Sequence, residues 1–571
     1  MDAGGTAGLT VATRLAQNGS FSVAVIEAGS FYELDNGNFS EIPYYVFESA
    51  STDADLSAVN GLIDWKFLTT PQPGLLDRTL HYIRGKCLGG SSARNYLVYN
   101  RGTRGTFAKW ASLVGDSDWT WEGVYPYYRK SPHFTPANTD LRAPNASAGL
   151  VDDVASFSED GGPLQVSYPN YAQPWSAVFP QGFEELGIPF LRQGISSGSL
   201  DGYASITLTQ DPVYETRSSS ETSFLRNALA VTNIVVYTHA LAKRIVFDAD
   251  KRATSVMVDV AGMRFQVNAT REIISSAGAS QSPQLLMISG VGPRALLEEH
   301  HISVVADRPG VGQNMWDNPL TSLSFEVDVE TPSVFQNDPS RIYTKTEEYL
   351  TRHAGMLTND AGADLIAFLK VSNLSWTNMS KTAEASFAAN FPSDWPEVEL
   401  LSYAVGPSDG IHNFAGIAIG ILATFSRGNV TIRSADMADA PIINPAYLQD
   451  KRDQDLAITA FKLARRLAAT ASLQRAIIGP EVVPGPKITT DAEILDYLRQ
   501  SISPLYHASC TCKMGMRNDS MAVVDSEAKV IGVSGLRVVD ISAFALLPPG
   551  QPQATVYMLA EKITDMVLRD A

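Results

Sequence analysis

Apolar residues recur at helical spacing from Leu9 to Gln17, directly behind the glycine-rich run Ala3-Gly4-Gly5-Thr6-Ala7-Gly8. The pattern then changes to a β-branched apolar stretch, Phe21 to Ile26, that ends at Glu27. A helix followed by a continuous apolar strand predicts half of a βαβ unit. Asn233 to Phe247 and Arg252 to Val260 read as strands joined by a turn at Asp248-Ala249-Asp250. Arg271 to Ser276 is a further strand, feeding Ala277-Gly278-Ala279 and a helix from Ser282 to Ile288. Residues 320–500 mix alternating segments such as Asn429 to Arg433 with helices such as Asp455 to Ala468. Ser503 to Met514 has little periodicity. Leu536 to Val539 is a buried strand ending at Asp540, and Ala554 to Leu568 is a closing helix. Strands of the buried, parallel type therefore sit at both ends and in the middle. They predict an α/β nucleotide-binding domain assembled from discontinuous segments.

The opening motif is the A-x-G-x-x-G variant of a dinucleotide fingerprint. Its glycines let the backbone approach a pyrophosphate seated on the helix N-terminus. Glu27 follows Gly8 by about 20 residues, the spacing at which an acid meets ribose hydroxyls. Only Met1 and Asp2 precede the motif, so the strand that normally leads into it is missing from the chain. Either the sequence is truncated or mispredicted there, or another segment fills the gap.

The 571 residues, 44% of them hydrophobic, suit two domains sharing an interface, since single cores stop growing at ~250–300 residues. A formal net charge of -17 repels phosphate backbones and anionic membranes and argues against a nucleic-acid partner. The three cysteines, Cys87, Cys510 and Cys512, form no disulfide framework, and no His/Cys cluster has metal-ligand spacing. No run of about 20 apolar residues is present to span a membrane. Sequons at Asn18, Asn38, Asn145, Asn268, Asn373, Asn378, Asn429 and Asn518 point to a secretory route, or to chance in a Ser- and Thr-rich chain. The oligomeric state is left open.

Four separated blocks carry a family likeness. They are Gly85-Lys86-Cys87-Leu88-Gly89-Gly90-Ser91-Ser92-Ala93-Arg94-Asn95, Gly278 to Pro283 with Ser289 to Gly292, Gly310 to Asp317, and Asp540-Ile541-Ser542 with Pro549-Gly550. In this order they resemble the glucose–methanol–choline (GMC) oxidoreductase family. Arg217-Ser218-Ser219-Ser220, His507 to Gly515 and Leu546 to Gly550 are similar to its fungal members. The resemblance implies a Rossmann-like FAD-binding domain (residues 1–150, 225–320 and 505–571). It also implies an α+β substrate-binding domain with an antiparallel sheet (residues 151–224 and 321–504). The activity it implies is oxidation of a CH–OH group on a small secondary-metabolite alcohol, with hydride passing to flavin N5. Fungal members also include a ring-closing dehydratase with no net redox change, so the fold does not settle the chemistry. A degenerate member without activity is the third reading.

The residues implied to hold FAD are Gly4, Gly5, Thr6, Ala7, Gly8, Glu27, Gly89, Gly90, Ser91, Asn95, Ala242, Asp540, Ile541 and Gln551. Asp540 reads equally as a turn or cap acid, and Ala242 as a packing residue. The catalytic candidates are His507 and Gln551. An imidazole accepts a hydroxyl proton near neutral pH. Gln551 stands where the family carries a second His or Asn, and its amide can orient a hydroxyl but takes no proton. Arg94 replaces an aliphatic residue, and either supports negative charge on a reduced flavin or turns outward. Asn318 stands where relatives often show His. Trp376, Phe387 and Trp395 either line an aromatic pocket or pack in the core. His300 and His301 read as surface residues.

Overall fold

The computed structural model describes residues 4–142, 150, 153–336, 338–360, 362–371, 374 and 379–570. Ala3 of the fingerprint, Trp376, and the sequons at Asn145, Asn373 and Asn378 lie outside the described residues.

Thr6–Asn18 is a helix whose N-cap, Gly5, offers no side chain to its first amides, and whose C-cap Gly19 takes a left-handed conformation. The strand behind it, Ala24–Ile26, pairs in parallel with Val235–Tyr237. A second parallel pair joins Ile273–Ser275 to Leu536–Val538. Among the described residues no strand links the two pairs. The long strand expected from Asn233 to Phe247 is broken: Val235–Tyr237 and Leu241–Phe247 belong to different sheets. His239, at φ 52, sits in the break, and the amide of Ala240 turns back to the carbonyl of Glu27. That bond closes the nucleotide-type half over Glu27. Leu241–Phe247 instead pairs with Ala253–Val260, which pairs with Met263–Asn268. The helix expected from Ser282 starts earlier, at Gly278, and the closing helix is Gln553–Arg569.

A seven-stranded antiparallel sheet forms the other half. Its order is Ile477–Val483, Pro319–Val327, Phe414–Ile421, Val398–Tyr403, Leu365–Leu369 and Gly202–Ser205, with Ser503–Pro504 also paired to Pro319–Val327. Val398–Tyr403 is a central strand, buried on both faces except at its last residue. Alternation places Glu399, Leu401 and Tyr403 on one face. Glu399 lies opposite Gly420, where a Cβ would come 2.6 Å from the Glu399 carboxylate oxygen. The missing side chain makes room for a buried acid in the middle of the sheet.

The glycine-rich segments are bolted together by backbone. The Gly89 amide donates to the Gly4 carbonyl at 2.7 Å. Gly90 has φ +51, and a Cβ there would stand 2.6 Å from Gly5 Cα. Gly90→Ala combines a left-handed conformation with a backbone collision, a strain of ~1–3 kcal/mol. The expected result is a lower thermal midpoint by circular dichroism, and an unchanged midpoint rejects this packing.

Candidate active site

A cavity of about 680 Å³ runs from the glycine-rich segments to the antiparallel sheet. One end is lined by Gly4, Gly5, Thr6, Ala7 and Glu27, with Gly90 and Ser91 beside them. The helix N-terminus at Thr6 opens here with no acid in its first turn, so its free amides and dipole face the cavity. Glu27 is buried and uses Oε1 to accept the Gly29 amide at 2.8 Å. Gly8 and Gly89 are near but do not line the cavity, and neither does Ala242, which is fully buried while its neighbour Leu241 lines the wall. These features fit a dinucleotide: small residues, an open helix end, and backbones close enough that side chains would collide.

Further along, Asn95 lines the wall with its amide already bonded. Its Nδ2 donates to Gln553 Oε1 at 3.0 Å and its Oδ1 accepts from Arg217 at 2.9 Å. Asp540 and Ile541 also line the cavity. The Asp540 carboxylate accepts from the Gly278 amide at 3.0 Å, Ser282 Oγ at 2.6 Å and the Ser542 amide at 2.7 Å. It therefore ties a strand end to a helix start. Arg94 does not turn outward. It is buried, and its guanidinium pairs with Asp64 at 3.3 Å, which His81 also contacts at 3.2 Å. A neighbouring carboxylate thus balances this charge inside the protein. Phe387 and Trp395 are core residues, packed with Phe391 away from the cavity. His300 is half-buried and His301 exposed, at the end of Arg294–Glu299.

His507 lines the far end. Its backbone amide donates to Asp317 Oδ1 at 2.7 Å, and the amide of Asn318 donates to the same oxygen at 2.8 Å. Tyr82 and Tyr447 donate their hydroxyls to Asp317 Oδ2. Burial raises the Asp317 carboxyl and these donors oppose it. The imidazole is contacted by the Asn318 amide, Nδ2 to Nδ1 at 3.3 Å. No described residue engages Nε2, which is left to the cavity. Burial, then the charge of Arg84, pushes the His507 imidazole down to about 3, so it is neutral before a ligand arrives. The Asn318 amide selects its tautomer. With Nδ2 donating, Nε2 carries the proton; turned over, Oδ1 accepts from Nδ1–H and Nε2 presents a lone pair.

Gln551 lines the same cavity. Its amide N–H is bonded to Asn100 Oδ1 at 2.8 Å, and its Nε2 donates to both oxygens of Glu399, at 3.2 and 3.3 Å. Its Oε1 is buried without a partner. Glu399 is 0% exposed, and burial raises its carboxyl to about 8, against the bond from Gln551. Glu399, and Asp317 as an anchor, were not expected as site residues; Asn318 was expected only as an altered minor contact, and it meets the His507 imidazole. The one local signal for Glu399 is an acid inside the apolar run Val398-Glu399-Leu400-Leu401. Among the described residues no helix is long and apolar enough to cross a membrane.

Profiles of the GMC oxidoreductase family match residues 3–320 and 424–560. The chain is 48% identical to patulin synthase of Penicillium expansum over 571 residues, covering 98% of this chain and 90% of the relative. It is 42% identical to versicolorin B synthase of Aspergillus parasiticus, covering 98% and 86%. Among solved structures it is similar to an FAD-dependent oxidoreductase from Chaetomium thermophilum, with TM-score 0.87, 28% identity and coverage of 100% and 98%.

Two outcomes follow from the geometry. Replacing Tyr82 or Tyr447 by Phe removes one donor from Asp317 and costs ~1–2 kcal/mol of stability, measured by denaturant unfolding. Glu399 ionises as pH rises through about 8. Below that pH its O–H can hold Gln551 Oε1 and turn Nε2 to the cavity; above it Nε2 is drawn back to the carboxylate. Binding of benzyl alcohol, followed by the cofactor's absorbance, should weaken above about pH 8, and Glu399→Gln should remove that inflection.

Proposed function

The chain belongs to the GMC oxidoreductase family and binds FAD, and from that premise we propose that it oxidises the CH–OH group of a small alcohol of fungal secondary metabolism. The observation that carries this reading is that a neutral imidazole, His507, and the Gln551 amide line the same cavity as a glycine-lined cradle. FAD, when bound, supplies the hydride acceptor. His507, with Asn318 turned to accept from Nδ1–H, takes the hydroxyl proton at Nε2. The Gln551 Nε2–H holds the hydroxyl oxygen while Glu399 is protonated. The carbinol leaves as a carbonyl compound, having lost one proton and one hydride. The two parallel strand pairs with the helix Thr6–Asn18 are read as the Rossmann-like FAD-binding half, and the seven-stranded sheet as the substrate half.

A second reading has a specific observation behind it. With Asn318 Nδ2 donating to His507 Nδ1, Nε2 is a proton donor rather than an acceptor. That state suits a ring closure with loss of water, in which the cofactor takes no hydride. The relatives' names, patulin synthase and versicolorin B synthase, are compatible with either chemistry in this chain's secondary-metabolite setting. The exposed sequon residues Asn18, Asn38, Asn268 and Asn518 support a secretory route.

Under anaerobic conditions an alcohol substrate should bleach the flavin absorbance. His507→Ala should slow that bleaching by ~100-fold or more. Product mass separates the readings: loss of two hydrogens supports oxidation, and loss of water with the flavin unbleached overturns it.

A further inference from the structure

Asp360 lines the same cavity, with Tyr96, Ala363, Leu401, Ser402 and Tyr403 around it. It is 1% exposed, and both carboxyl oxygens are buried without a hydrogen-bond partner among the described residues. Four residues on, Asp364 shows what the same turn does with a structural acid. Its Oδ1 accepts from Asn359 Nδ2 at 2.5 Å and its Oδ2 from the Gln173 amide at 2.7 Å. One acid is saturated by the fold; the other lines the cavity, its two oxygens hydrogen-bonded to no other residue among those described. Burying a carboxyl without partners costs stability, so its retention calls for a function.

We propose that Asp360 is a substrate-binding residue whose carboxyl takes a second hydroxyl or carbonyl oxygen of an uncharged substrate, distinct from the carbinol that meets His507. Burial first, then Asp364, raises the Asp360 carboxyl and favours its protonated form, against its own backbone amide and the charge of Arg217. A protonated carboxyl offers one O–H donor and one acceptor side by side. That pair suits a neutral oxygen function; a cationic amine would demand an ionised carboxylate, which the surroundings oppose. Tyr96 also lines the cavity, within electrostatic reach of Asp360 and of Tyr506. Its phenol is raised by burial, then by Tyr506, which adjoins His507, by Tyr403 and by Asp360. The proposal rests on the reading that the cavity takes an alcohol.

The test uses the FAD-loaded full chain and its variant Asp360→Leu. 3-Hydroxybenzyl alcohol carries a second oxygen and benzyl alcohol does not. In anaerobic bleaching the native protein should prefer the former by about tenfold in apparent affinity, the worth of one buried hydrogen bond. D360L should erase that preference, bringing the apparent affinities for the two alcohols together. Titration with 3-hydroxybenzaldehyde, read as a perturbation of the flavin spectrum, needs no turnover. A loss of about tenfold in D360L supports the site even where no alcohol bleaches the flavin and the oxidation reading falls. An unchanged preference and an unchanged titration overturn the proposal. Because the carboxyl is hydrogen-bonded to no other described residue, D360L should also be at least as stable as the native protein. A variant that melts earlier or fails to fold assigns Asp360 a structural role and overturns the proposal as well.

Discussion

One buried carboxylate organises the reacting end of this protein. Asp317 accepts the backbone amides of His507 and Asn318 and the hydroxyls of Tyr82 and Tyr447. Those residues come from separate stretches of chain, so the carboxylate fixes their mutual position as no local element could. It also sets the backbone of the imidazole and of the amide that chooses its tautomer. A buried acid left with fewer donors would carry an uncompensated charge or take up a proton. The position of His507 thus depends on a group that never faces the cavity.

The opposite end is held by subtraction. Gly4, Gly5, Gly89 and Gly90 approach so closely that a Cβ at Gly90 would strike the Gly5 backbone, and one at Gly4 would reach the Glu27 carboxylate at 2.1 Å. Rigid backbone there contrasts with rotatable amides at the reacting end. Asn318 and Gln551 each have one amide atom engaged and one buried oxygen unpaired. For Gln551 the proton inventory of Glu399 decides which amide atom faces the cavity; for Asn318 the orientation of the amide is matched to the tautomer of His507. The cradle is therefore fixed in geometry, whereas the reacting end is fixed in place but adjustable in polarity.

What the sequence disclosed follows the same division. The helix Thr6–Asn18, the closing helix Gln553–Arg569 and the strand ending at Asp540 are local periodic patterns, and each appears within a few residues of its expected bounds. His507 and Gln551 were legible because they stand in blocks resembling a family, and both line the cavity. The break at His239 was not legible, since Val235–Tyr237 and Leu241–Phe247 share one apolar pattern and only tertiary pairing separates them. Glu399 was invisible as a site residue because its partner, Gln551, lies far along the chain and its niche is made by Gly420 on the neighbouring strand. Arg94 read as either a site charge or an outward one; its pairing with Asp64 is a long-range fact that no spacing encodes.

The neutral state of His507 limits how the proposed oxidation can run. Burial and Arg84 both oppose an imidazolium at this position. A proton taken at Nε2 in advance would leave an isolated positive charge in a poorly solvated site, next to another cation. Proton uptake becomes favourable only as compensating negative charge arrives in the same cavity. On the oxidation reading, loss of the hydroxyl proton and loss of the hydride from the same carbon therefore belong to one event. A dehydrating cavity has the reverse need, an acid that gives up its proton readily, and a weakly basic imidazole with Nε2 protonated meets only part of it. A neutral imidazole holds its Nε2 proton far more tightly than an imidazolium would. The depressed basicity that burial and Arg84 impose thus weighs toward the coupled removal of proton and hydride.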